Sequence, residues 1–143
     1  MLFVVHDHET GEITQANKVY DPTPEYVARL NDSGVHYVTE QRTGLVDPDK
    51  CFVRNGGLYN RPRMRPSINR RSIKALSDDS VVIVGAPKGV RFSVSAGGVV
   101  IHQGDLPDGE LELGADLMPP GLYRISLEKW PYCAVMFDIE ATA

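Results

Sequence analysis

Histidines are the first residues in this chain whose type and spacing could do chemistry. His6 and His8 flank Asp7, and on a β-strand residues i and i+2 face the same way, so both imidazoles could reach one metal ion. A metal site needs further ligands, and the only other imidazoles belong to His36 and His102. The pattern therefore favours two exposed polar residues beside a hairpin turn, and we predict no metal and no other cofactor.

The two cysteines are the second group with chemical potential. Cys51 and Cys133 lie far apart in the sequence, without a CxxC pair. Nucleophilic catalysis needs a Ser or Cys with a base and an orienting group within reach, and the sequence has no GxSxG motif. We therefore predict that the protein is not an enzyme, with a cysteine hydrolase that uses Cys51 as the catalytic alternative. The sequence leaves open whether the two thiols form a disulfide.

A run of basic residues is the third chemical signal. Six of the fourteen residues from Arg61 to Lys74 are basic, yet no aromatic residue is interleaved for base stacking and the whole chain carries a net charge of −4. This disfavours nucleic-acid binding. Arginine binds carboxylates through two parallel hydrogen bonds, so we predict contacts with acidic surfaces of neighbouring subunits. Trp130 and Tyr132 could anchor such an interface, with core packing as the alternative. The predicted interface residues are Arg61, Arg63, Arg65, Arg70, Arg71, Trp130 and Tyr132.

Charge is spread unevenly along the chain. Residues 1–76 carry 11 Lys and Arg against 9 Asp and Glu, whereas residues 77–143 carry 4 against 10. Opposite net charges would let two copies attract head to tail. Chance distribution of surface charge explains the same counts.

Turn residues and short apolar runs set the expected fold. The chain has 13 Gly and 10 Pro, which favours many short strands over long helices. One helix is predicted over residues 24–32, with Thr23 as its N-cap and Pro24 at its first position. The sequence Asn55-Gly56-Gly57 predicts a tight β-hairpin.

These elements predict a mainly β protein with two units. Residues 1–61 should form a small α+β unit, and residues 77–143 an immunoglobulin-like antiparallel β-sandwich. Residues 62–76 should form a basic extended linker, with a strand that reaches across to another part as the alternative. Tyr123, two residues after Gly121, could lock the corner of such a sandwich through its hydroxyl, or could be an ordinary half-buried strand residue. The sequence lacks the roughly 20 apolar residues of a membrane-spanning helix and the basic start of a signal peptide, so we expect synthesis in a cytoplasm and no membrane partner.

Three places in the sequence carry a resemblance to a known group of proteins. They are Asp7–Ile13, which fits D-x-x-T-G-x-I; Asn55–Pro62, which fits G-x-L-x-x-R-P; and the C-terminal set Val82–Gly89, Pro120–Leu127 and Trp130–Tyr132. In these places the chain resembles small proteins encoded in the structural-gene modules of tailed bacteriophages.

The resemblance implies a structural part of the virion, associated with the tail or its fibres or decorating the head. Its partners would be other virion proteins and copies of itself in a symmetric assembly, after synthesis in the host cytoplasm. The resemblance implies no active-site residue. The alternative functions are a chaperone for fibre assembly and a module that binds glycans of the host surface.

Overall fold

The computed structural model describes residues 1–40 and 46–143, and it divides the chain into two compact units, Met1–Arg61 and Pro62–Ala143. The described residues are mainly β. The strands are β1 (Leu2–His6), β2 (Ile13–Lys18), β3 (His36–Glu40), β4 (Cys51–Arg54), β5 (Gly57–Asn60), β6 (Ser67–Ile68), β7 (Ser72–Lys74), β8 (Ser80–Val84), β9 (Val90–Ala96), β10 (Val99–Leu106), β11 (Leu111–Gly114), β12 (Gly121–Glu128) and β13 (Val135–Thr142); the helix α1 is Pro24–Asp32.

The first unit contains an antiparallel sheet in the order β2-β1-β3 and a separate β4–β5 hairpin. Helix α1 begins as the sequence predicts, because the Thr23 hydroxyl accepts a hydrogen bond from the Tyr26 N–H and Pro24 opens the first turn. Tyr26 packs edge-on against Phe3, with ring centroids 5.2 Å apart. Successive strand residues point to opposite faces of a sheet. Leu2 and Val4, on either side of Phe3, therefore point to the other face and form the core of this unit with Ile13, Val46 and Val53.

Two tight turns fix the first unit. In the β4–β5 turn, Asn55 and Gly56 have φ of 50° and 76°, which is the left-handed conformation that the Asn-Gly sequence predicts. Gly11 also has a positive φ, of 77°, and its carbonyl accepts a hydrogen bond of 2.9 Å from the Val53 N–H. A Cβ at Gly11 would lie 3.0 Å from the Val53 carbonyl carbon and closer still to its oxygen. Only glycine allows these two backbones to come so close.

The second unit is a β-sandwich. One sheet has the order β10-β9-β12-β13-β7 and the other has the order β11-β8-β6. The pairs are antiparallel except for β7 with β13, which is parallel. Val81 and Ile83 of the small sheet share one buried core with Val94, Ile125 and Ile139 of the large sheet. The two sheets therefore face each other across a common core, as in a β-sandwich.

Strand order and one tyrosine make this sandwich immunoglobulin-like. If β6 and β7 count as a split first strand, then the second and fifth strands are β8 and β11, which lie in the small sheet. The third, fourth, sixth and seventh strands are β9, β10, β12 and β13, which lie in the large sheet. Tyr123 is 6% exposed, and its hydroxyl donates a hydrogen bond of 2.6 Å to the Pro119 carbonyl. This bond closes the corner before β12, so the predicted role of Tyr123 and the predicted fold class are confirmed.

Residues 62–76 are not the separate linker that the sequence predicted. β6 pairs with β8, and β7 pairs with β13, so this segment supplies strands to both sheets. Ile73 and Ala75 are 2% and 8% exposed in the core of the sandwich, and Met64 is also buried there. Burial of these apolar side chains stabilises the contact between the segment and the sandwich, although its prolines and arginines are typical of an extended, exposed chain.

Candidate interface

The first candidate surface is the side of the second unit formed by residues 62–74, which we call the basic edge. Strand β7 is an outer strand of the large sheet and β6 is an outer strand of the small sheet. The segment from residue 62 to 77 contains no Asp or Glu, so the edge is a strip of positive charge. Four of the predicted interface residues are exposed on it, namely Arg63, Arg65, Arg70 and Arg71.

Two of these arginines have contacts within the unit. Arg70 lies 3.6 Å from an Asp79 carboxylate oxygen, and the Arg71 guanidinium lies over the Phe137 ring at 5.5 Å from its centroid. Both contacts hold the side chain at the surface rather than in the core. Arg61 belongs to the first unit, where its guanidinium donates a hydrogen bond of 3.2 Å to the Asp49 carbonyl.

Trp130 and Tyr132 occupy the connection between β12 and β13. The Trp130–Pro131 peptide bond is cis, and both aromatic residues are half-buried. Tyr132 packs against the core of the sandwich, which is the alternative that the sequence left open for this pair. The two side chains are therefore less exposed than the four arginines.

The opposite side of the sandwich carries the opposite charge, and we call it the acidic edge. It consists of β10, β11 and the residues up to 116; β10 and β11 are the other outer strands of the two sheets. No Lys or Arg occurs between residues 92 and 123. Five exposed carboxylates lie along this stretch, namely Asp105, Asp108, Glu110, Glu112 and Asp116. Asp105 pairs with Arg91 at 3.7 Å.

The acidic edge also exposes apolar side chains. Val99, Val100 and Ile101 at the start of β10 are 65%, 51% and 55% exposed. A groove of about 400 Å³ lies here, lined by Ile101 and His102 of β10 together with Leu113, Gly114, Leu117 and others. Residues of β10 and β11 line the same groove, so the two free strand edges lie on one side of the sandwich. Sequence reasoning missed this edge, although the gap in Lys and Arg was visible.

The histidines of the first unit come together without forming a metal site. His6 and His36 face each other across β1 and β3, and the His8 ring stacks on His36 with centroids 4.1 Å apart. Within residues 1–40 and 46–143, no group of three or more His, Cys, Asp or Glu side chains is arranged to hold a metal ion. Hydrogen bonds from Thr10 and from the Glu9 N–H lower the pKa of Asp7, which therefore anchors the turn as a carboxylate.

Cys51 and Cys133 are not joined by a disulfide in the part of the chain that the structure describes, and both are half-buried. The Cys51 thiol donates a hydrogen bond to the Asn60 side-chain oxygen at 3.8 Å. An amide oxygen cannot act as the base that a cysteine nucleophile needs. The Cys133 N–H donates to the Pro62 carbonyl at 2.8 Å, which ties the start of the basic edge to the sandwich.

The outer face of the large sheet contains a second groove of about 310 Å³. Arg124 and Asp138 form a bidentate pair beside it, at 2.9 Å and 3.4 Å, and this pair lowers the pKa of Asp138. Tyr123 is the single aromatic residue that lines the groove, and its ring is buried with its hydroxyl already bonded. Within the described residues, the groove therefore offers no exposed ring on which a sugar could stack.

Comparison with known proteins gave little. No protein-family model matches the chain, and no curated protein matches it. A crystal structure of domains d3–d4 of the extracellular region of rat CD45 is similar over 87% of this chain and 80% of that chain, with 11% sequence identity and a TM-score of 0.34. A similarity of this degree supports no inference, so the description of the sandwich rests on its own strand order and corner tyrosine. No helix in the described residues is long and apolar enough to span a membrane.

Proposed function

We propose that the protein is a structural component of a bacteriophage virion. It is associated with the tail or its fibres, or decorates the head, and it acts through protein–protein contacts without catalysing a reaction. The observation that carries the proposal is the second unit, which presents five carboxylates on one edge and a strip of exposed arginines on the other. The virion setting comes from the sequence resemblance.

Such a surface suits repeated docking in a symmetric assembly. Exposed charge pairs are individually weak, typically about 0–1 kcal/mol each, so one contact of this kind is modest. Many copies in a closed assembly multiply modest contacts through avidity. Charge also determines which surfaces meet, because unlike edges attract and like edges repel.

Quantitative mass spectrometry of purified particles from the source phage tests the proposal. We expect the chain at a fixed stoichiometry relative to the major capsid protein in particles that are purified at low salt, where contacts between charged surfaces persist. A copy number that matches tail symmetry or a head lattice would assign the location.

Absence of the chain from particles would refute the structural role. Recovery with fibre proteins from infected cells, but not from particles, would point to an assembly chaperone. Binding to a host-surface glycan by a chain that is absent from particles would point to a glycan-binding module.

A further inference from the structure

We propose that the acidic edge of one copy binds the basic edge of a second copy. The second units would lie side by side, with the edge of β10 and β11 against the edge of β6 and β7. The inference rests on the proposed structural role and deepens it by naming the partner as another copy of the same chain. Three features of the second unit support it: charge, the free strand edge and exposed apolar area.

Charge is complementary along the whole length of both edges. Both edges run from the end of the sandwich that holds the β12–β13 connection to the opposite end. Along this direction the basic edge presents, in order, Arg63, Arg65, Arg70, Arg71 and Lys74. In the same direction the acidic edge presents carboxylates from the β10–β11 turn to the residues after β11. When two copies lie in the same orientation, the cationic side chains of one edge can therefore meet the carboxylates of the other, in addition to the pairs that Arg70 and Asp105 make within their own unit.

The polarity lies within the second unit, not between the two units. Residues 1–61 carry 6 Lys and Arg against 9 Asp and Glu, and residues 62–143 carry 9 against 10. Both units are thus net negative, and a contact between whole units of opposite charge is not available. The separation of charge across the width of the sandwich is what can orient a second copy.

The free edge of β10 has few of the features that usually protect an outer strand; its one irregularity among the described residues is a register shift between Val100 and His102. Proteins usually block outer strands with lysine, proline or short length, since unpaired N–H and C=O groups invite another strand. β10 has eight residues, with neither Lys nor Pro, and no strand among the described residues pairs with its outer side. The opposite edge is built differently, because β6 and β7 have two and three residues and follow Pro62 and Pro66.

Exposed apolar side chains at the start of β10 add a reason for burial. Val99, Val100 and Ile101 are all more than half exposed, and Leu117 nearby is 85% exposed. Burial of such side chains against a neighbour is favourable by about 25 cal/mol per Å² of apolar surface. This contribution would hold the contact after charge has guided its approach.

Charge also decides between two ways of covering β10. Two β10 strands could pair about a two-fold axis, but that would bring the carboxylates of both acidic edges together. Like charges at close range oppose such a contact, whereas the basic edge neutralises the same carboxylates. The contact is therefore heterologous, and each pair of copies keeps one free basic edge and one free acidic edge, so assembly continues into a ring or a filament.

Sedimentation of the purified chain tests the inference. We expect self-association that weakens at least about tenfold when salt rises from about 0.1 M to about 1 M, because the Debye length falls from about 10 Å to about 3 Å. Two charge-reversal variants probe the edges separately. The first is Arg63→Glu with Arg65→Glu on the basic edge, and the second is Glu110→Lys with Glu112→Lys on the acidic edge.

Each variant alone should associate at least about tenfold more weakly than the parent, because attraction is replaced by repulsion. An equimolar mixture of the two should regain association, because the intact acidic edge of the first variant can meet the intact basic edge of the second. The matched control for the basic-edge variant is Arg29→Glu with Arg54→Glu, which makes the same change in net charge on exposed residues of the first unit and should not weaken association. Far-UV circular dichroism confirms that each variant is folded.

Three results would overturn the inference. A chain that stays monomeric at every salt concentration would do so, as would a mixture of the two variants that fails to associate. Association that persists in the basic-edge variant and is stronger in the acidic-edge variant would show pairing of β10 with β10 instead, because loss of carboxylates relieves the repulsion between two acidic edges. Each of these results leaves the mass-spectrometric test of the proposed function untouched, since a chain can occupy the virion through other partners.

Discussion

Gly109 determines the turn that places two carboxylates of the acidic edge. It lies between β10 and β11 with φ of 71°, and a Cβ there would lie 2.8 Å from the Ala86 carbonyl carbon and closer still to its oxygen. Gly98, in the turn between β9 and β10, has a similar φ of 79°, but a Cβ there would meet no atom within 4 Å. We therefore expect Gly109→Ala to destabilise the second unit much more than Gly98→Ala does.

The magnitudes follow from the two environments. Either alanine adopts the left-handed conformation at a cost of about 1–2 kcal/mol, and either restricts the unfolded chain, which returns about 0.4–1 kcal/mol. Gly98→Ala should therefore cost about 1 kcal/mol. Gly109→Ala adds an overpacking cost of about 1–3 kcal/mol, because the atoms it meets are backbone and cannot rotate away. The total for Gly109→Ala is about 2–4 kcal/mol.

Urea unfolding followed by tryptophan fluorescence measures this difference directly. Trp130 is the single tryptophan of the chain and lies in the second unit, so its emission reports the unfolding of that unit. Gly98→Ala serves as the control for backbone strain. Equal losses of stability in the two variants would contradict the reasoning, because the close approach of Gly109 to Ala86 would then have no energetic consequence.

Three further predictions test other parts of the structure. Tyr123→Phe should destabilise the second unit by about 1 kcal/mol in the same urea assay, since it removes the hydrogen bond to Pro119, and no change would contradict the corner role. Ile73→Ala should cost about 2–5 kcal/mol and Lys74→Ala almost nothing, because Ile73 is core and its neighbour is exposed; equal effects would restore the linker interpretation. The folded pKa of Asp7 lies below the ordinary 3.8, so its stabilisation is present above pH 3.8 and is lost as pH falls through the folded value. Circular-dichroism melts on both sides of pH 3.8 should show this loss in the parent and a weaker one in Asp7→Asn.

The elements that the sequence predicted well have local causes. The start of α1 depends on a capping hydroxyl at Thr23 and a proline beside it, and both effects act within one helical turn. The β4–β5 hairpin depends on two residues that tolerate positive φ. Tyr123 bonds to a carbonyl four residues earlier. In each case the residues that make the structure are neighbours in the chain, so their pattern is visible without knowledge of the fold.

The linker interpretation of residues 62–76 was wrong because the contacts that fold this segment are distant in sequence. β7 has three residues and pairs with β13, so that Ala141 lies opposite Ile73. Two or three residues are too few to show the alternation of a strand, and basic residues on both sides of Ile73 hide its apolar character. Burial of Ile73 depends on its parallel partner β13, which is distant in sequence.

The acidic edge escaped sequence analysis for a related reason. Acidic residues near glycine and proline are typical of turns. Taken one at a time, each of the five carboxylates between residues 105 and 116 fits this ordinary pattern. What gathers them is strand order, which makes β10 and β11 outer strands on the same side of the sandwich. The charge difference between residues 1–76 and 77–143 therefore reflects a polarity across the width of the sandwich, not a polarity between two units of the chain.

The axis matters for how copies would assemble. A charge difference between the two ends of a chain could be satisfied within one antiparallel pair, in which each end meets the opposite end of the partner. Opposite charges on the two lateral edges of one sandwich instead leave a basic and an acidic edge free on every side-by-side pair. A third copy can then add by the same contact, and growth ends only when the rotation between neighbours closes a ring. Sedimentation of the parent chain should therefore show species larger than a dimer at low salt, and a dimer as the end point would refute the lateral arrangement.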